Sequence, residues 1–96
     1  MKWDFEAEVC LWKSDAAWHF LTLPQDVADD MEDMPISRGG FGSLRVQVTI
    51  GSSSWGTSIF PGKELGSFLL PLQKPVRETE GLEVGDVCHV YLRIAE

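Results

Sequence analysis

A chain of 96 residues is one domain that buries roughly 60–65% of its unfolded surface, enough for a single modest core. With 44% hydrophobic residues, 24% charged residues and four tryptophans, the composition is globular and excludes disorder. A net charge of −7 repels phosphate backbones and anionic membranes, so nucleic acid and membrane surfaces are not expected as partners.

The opening MKWDFEAEVC alternates charged and apolar side chains where a secretory signal would have an apolar run, and no stretch approaches 18 apolar residues. A cytoplasmic protein with reduced thiols is expected. Lys2 to Trp12 reads as a long strand with Trp3, Phe5, Ala7, Val9 and Leu11 on one face and Cys10 on the other. Lys13 to Ala17 is the connection, and Trp18 to Leu23 the returning strand. Pro24 then opens a helical stretch to Met34, in which Val27, Met31 and Met34 line one face and lid an end of a barrel. Its acids, Asp26, Asp29, Asp30, Glu32 and Asp33, lack the spacing of a calcium loop and read as a solvated face.

Ser37 to Ser43 has neither the Gly-Lys-Ser/Thr ending nor the following helix of a phosphate loop, which leaves Arg38 as its only side chain able to greet an anion. Leu44 to Ile50 is a strand with Leu44, Val46, Val48 and Ile50 inward. Gly51 to Ser54 turns the chain into a strand from Trp55 to Phe60, and Pro61-Gly62-Lys63 turns it again into Ser67 to Leu72. Gln73 to Glu80 forms a short helix, with Pro75 confined to its first turn. Gly81 stops it in the left-handed conformation, with Leu82 as the apolar contact of the cap. The Gly85-Asp86 turn leads into Val87 to Ala95, where Cys88, Val90, Leu92 and Ile94 face the core. Cys10 and Cys88 thus occupy different faces and should not meet. The whole is mainly β: one domain over 1–96, a small barrel of six or seven strands with one or two short helices.

The stretch LPLQKPVRETEGLEVGDVCHVYL, together with Trp18 to Pro24, Leu44 to Ile50 and Thr57 to Pro61, resembles the bacterial family of domain of unknown function 1905. That resemblance implies a double-split β-barrel, distantly similar to the AbrB-like swapped-hairpin regulators, and carries no activity. Two positions depart from the family pattern: Glu80 stands where a small residue precedes the glycine, and Pro75 interrupts the short helix.

Candidate chemistry is thin. His19 and His89 are isolated and read as surface or edge-strand residues, and Ser52, Ser53 and Ser54 have no nucleophile-elbow context. No catalytic residue, metal ligand or cofactor site is expected. Lys74 and Arg77 either bind an anion together or pair with Glu78, Glu80 or Asp86. Trp12, Trp18 and Trp55 read as barrel core or rim. The expected binding rim is Arg38, Trp55, Lys74 and Arg77, while Gly81, Gly85 and Asp86 serve the turns. A module that binds a small molecule or a protein, alone or as a homodimer, is the leading reading. An orphan enzyme and a transcription regulator are the alternatives, the latter opposed by the charge.

Overall fold

The computed structural model describes residues 2–12, 18–33, 42–62 and 66–95. In chain order these form β1 (Lys2–Trp12), β2 (Trp18–Thr22), α1 (Gln25–Glu32), β3 (Leu44–Ile50), β4 (Ser53–Gly62), β5 (Ser67–Leu72), α2 (Lys74–Glu80) and β6 (Val87–Ile94). The six strands close into a barrel in the order β1-β2-β5-β4-β3-β6, each pairing antiparallel. β1 and β4 are each shared between two neighbours, β1 pairing with β6 over residues 2–8 and with β2 over 9–12, and β4 with β3 over 53–59 and with β5 over 60–62, which is how the sheet closes on itself.

Alternation determines which side chains fill the barrel. Phe5, Ala7 and Val9 of β1, Leu21 of β2, the four apolar residues of β3, Ile59 of β4, Phe68, Leu70 and Leu72 of β5 and Cys88, Val90 and Leu92 of β6 are all buried in one cluster. The last strand is central to the arrangement because β6 pairs with both β1 and β3.

The helices cover opposite ends, since α1 follows β2 and α2 follows β5, and those two strands run antiparallel. Val27, Ala28 and Met31 of α1 join the core, while Asp26, Asp29, Asp30, Glu32 and Asp33 are exposed. The Gln25 amide donates to Asp29 at 2.9 Å and to the Gly66 carbonyl at 3.1 Å, tying α1 to the start of β5. Nearby, the buried Ser67 hydroxyl donates to the Leu23 carbonyl at 2.7 Å. At the other end α2 buries Val76. Gly81 stops it at φ 65°, the Leu82 N–H donates to the Arg77 carbonyl at 2.9 Å, and Leu82 packs on the core, which is the glycine cap expected from sequence.

Two boundaries differ from the sequence reading. β4 begins at Ser53 and runs through Pro61 and Gly62, where a turn was expected. Beyond Ile59 the strand pairs with β5 alone, so the N–H that Pro61 lacks faces no ladder partner. The hairpin from β3 to β4 therefore turns on Gly51 and Ser52 only, with Gly51 at φ 58°. Met34 and Arg38 lie outside the described residues. Both cysteines are free, Cys88 buried on the core side of β6 and Cys10 on the outer side of β1. Burial, then the charge of Asp86, pushes the Cys88 thiol pKa up, which keeps it protonated and unreactive.

Candidate functional site

The end of the barrel under α2 gathers polar groups that the core cannot satisfy. β2 brings His19 there in phase with Leu21, opposite Leu11 and Leu72. β4 brings Trp55, which lies opposite the fully buried Val48 and packs on the core. From above, α2 contributes Arg77 beside His19. Burial, and then the Arg77 charge, holds the His19 pKa below the ordinary histidine value, so the imidazole is neutral at pH 7. Trp55 Nε1 and Arg77 Nε are both buried without a hydrogen-bond partner. Two unpaired N–H donors at one end of so small a domain call for an explanation, because buried polar groups are ordinarily paired.

The reason Arg77 lacks a carboxylate is the fate of Glu80. Instead of pairing within α2, Glu80 reaches the β3–β4 hairpin, where its carboxylate accepts from the Ser53 hydroxyl at 2.7 Å, the Ser52 hydroxyl at 3.0 Å and the Ser52 N–H at 3.3 Å. Glycine at position 51 makes room for it, since a Cβ there would collide with the Glu80 carboxylate. Asp86 is engaged as well, accepting from the Glu83 N–H at 2.9 Å as a turn residue should. Lys74 turns outward to Glu78 at 3.7 Å, an exposed helical pair worth little. Of the expected rim, then, Trp55 packs on the core from β4 and Arg77 lies beside His19 from α2, each with a buried unpartnered N–H, Lys74 turns outward, and Arg38 lies outside the described residues.

The serine bonds hold the Glu80 pKa below the usual glutamate value, Ser53 contributing most. A depressed carboxyl pKa stabilises the fold above the unfolded-state value and loses that contribution as pH falls through the folded-state value. Glu80→Gln is thus expected to melt below the parent at pH 7, with the gap closing in acid. Thermal melts across that range check it, and a gap independent of pH would show that the serines do not distinguish carboxylate from amide.

His19 escaped sequence reasoning because its neighbour is 58 positions away in the chain. The other histidine is mundane: His89 is exposed, 3.3 Å from Asp4, and its ring is tilted 51° against that of Tyr91 at 4.8 Å. Trp12 and Trp18 are neither core nor rim but a cross-strand pair on the outer wall, clustered with Phe20 at ring distances of 5.3–6.4 Å. Both stay substantially exposed because they point away from the barrel interior. Arg45 sits at the far end of β3 from the hairpin that Glu80 grips, so it forms no common basic patch with Lys74 and Arg77. Among the described residues no group of three or more His, Cys, Asp or Glu side chains is arranged to hold a metal ion, and no helix is long and apolar enough to cross a membrane.

A family model described as a domain of unknown function matches residues 5–92, nearly the whole chain. No curated protein matches it.

Proposed function

The chain belongs to the family of domain of unknown function 1905, and we propose that it is a binding module that takes a small anionic molecule at the α2 end of its barrel. The observation that carries this reading is the pair of buried, unpartnered donors, Trp55 Nε1 and Arg77 Nε. Donors without acceptors fit a ligand that supplies acceptor oxygens, and a guanidinium without a carboxylate fits one that brings negative charge. The ligand is small and sits at the end, because the interior is occupied by fully buried side chains, among them Val9, Leu21, Val48, Leu70 and Val90. A cytoplasmic setting belongs to the same proposal and is supported by two thiols that are both free.

Thermal-shift titration with small carboxylates and phosphates, on the parent and on Arg77→Gln, tests it. A ligand that binds the folded state alone stabilises by about 2.7 kcal/mol at 100 times its Kd. The expected outcome is a rise in Tm in the parent that the variant loses. Without ligand, Arg77→Gln should melt no lower than the parent, since it removes a charged group whose buried Nε has no partner. Equal shifts in both proteins, or none across the panel, would defeat the proposal.

A second reading, contact with another protein or a second copy of the chain, is favoured by the outer wall of β1, β2, β5 and β4. There Trp12, Trp18 and Phe60 are exposed beside the buried Phe20, and Leu69 and Pro71 stand in the same cross-strand rows. Sedimentation velocity at rising concentration would support it by showing a dimer that Trp18→Ser abolishes, and would count against self-association if the chain stayed monomeric.

A further inference from the structure

The outer wall of β1, β6 and β3 carries a second feature, independent of the α2 end. Register aligns outward side chains into two rows that cross four strands: Lys2, Arg93, Gln47 and Gly56 in one, and Asp4, Tyr91, Thr49 and Ser54 in the next. Between the rows lies a groove of about 370 Å³ lined by Lys2, Asp4, Gln47, Thr49, Tyr91 and Arg93.

Lys2 and Arg93 are direct cross-strand partners, and like charges placed so are destabilising. Neither side chain has an ion pair or hydrogen bond among the described residues. Asp4, the acid nearest in register, faces His89 at 3.3 Å. Arg45 adds a third cation to the same wall, its Nη2 lying 3.8 Å from where a Cβ on Gly56 would be, close to the Gln47 side-chain oxygen. Three of the five described Lys and Arg residues therefore share one wall, the others being Lys74 and Arg77, on a chain whose acids outnumber its bases fifteen to eight. Asp4, Glu6 and Glu8 stand outward on β1 in the same wall, but among the described residues none of them forms an ion pair with these cations.

The floor and sides suit more than an inorganic ion. The Gln47 amide and the Thr49 hydroxyl both donate to Ser54 Oγ at 3.1 Å, which fixes those polar groups in place. Tyr91 lines the groove and is 56% exposed, its ring lying 4.8 Å from that of His89.

We infer that this groove binds a small organic anion, its carboxylate or phosphate between Lys2 and Arg93 and its planar apolar part against Tyr91. Arg93 supplies the fork that matches two oxygens, and Lys2 a point charge beside it. The bound anion relieves the repulsion between the two cations.

The test is a backbone amide NMR titration of isotope-labelled protein, in a phosphate-free buffer of low ionic strength, with inorganic phosphate and with phenyl phosphate. Saturable shifts are expected in β1, β6 and β3 around Lys2, Arg93 and Gln47, with phenyl phosphate several-fold tighter than phosphate. Arg93→Gln should weaken both ligands at least tenfold, and Tyr91→Leu should weaken only phenyl phosphate. These are solvent-exposed positions, so the spectra themselves verify that each variant is folded. Shifts confined to His19 and α2 would overturn this groove while leaving the α2 site standing. Affinities unchanged by Arg93→Gln, or shifts that never saturate, would also overturn it.

Discussion

Replacing Phe68 by alanine is expected to remove most of the stability of this domain. Phe68 is 1% exposed and inward on β5, its carbonyl accepts from the Leu23 N–H at 3.0 Å, and it belongs to the core that α1 covers. Truncating a fully buried phenylalanine costs about 3–5 kcal/mol, from lost transfer energy and from the cavity left behind. Against a total of about 5–15 kcal/mol for a domain of ordinary stability, that leaves a marginal fold. A closed barrel has little capacity to collapse around the hole, because every strand is hydrogen-bonded to a neighbour on each side somewhere along its length. Urea denaturation should show the midpoint falling sharply at unchanged slope, while Phe68→Leu, which keeps more of the volume, loses much less. A loss below about 1 kcal/mol, the size of an average substitution, would mean that Phe68 is not packed in the core.

How far the fold can be read in the sequence depends on whether the signal is local. β3 and β5 fall where they were expected because Leu44, Val46, Val48 and Ile50, and Phe68, Leu70 and Leu72, alternate without interruption. The end of α2 was equally legible, since Gly81 and Leu82 carry the whole stop signal between them. β4 was not. Ser53 and Ser54 have no apolar signature and are strand only because Ile50 and Thr49 lie opposite them, while Pro61 is tolerated only because β3 has ended beside it. Those facts live in the pairing, which period and propensity do not contain.

The sites follow the same division. Trp55 and Arg77 could be singled out by residue type, but what leaves Arg77 unpaired is Glu80 turning to serines 27 and 28 positions earlier in the chain. A helix-local reading would have paired the two within α2. Likewise the groove exists because β6 lies between β1 and β3, which sets Arg93 against Lys2 on one side and Gln47 on the other. Scattered along the sequence, those cations look unrelated.

Gly85→Val should destabilise by about 1–3 kcal/mol, through backbone strain alone. Gly85 has φ 95°, and the Asp86 N–H donates to the Glu83 carbonyl at 3.0 Å, which puts Gly85 at the third position of a tight turn that requires positive φ. The backbone has no freedom to move away from that conformation. The Gly85 N–H donates to the Val9 carbonyl at 2.9 Å, and the Val9 N–H to the Asp86 carbonyl at 2.8 Å, so the turn is riveted to β1. Space is not the issue, because a Cβ on Gly85 would meet nothing within 4 Å. Steric clash and strain therefore separate cleanly here. If strain is the cause, the loss should rank Val above Ala and Ala above Asn, which tolerates positive φ better than other residues with side chains. Thermal melts of the three variants measure that order. A Tm for Gly85→Val equal to the parent's would show that the turn yields, and that the hydrogen bonds to Val9 do not hold the entry to β6.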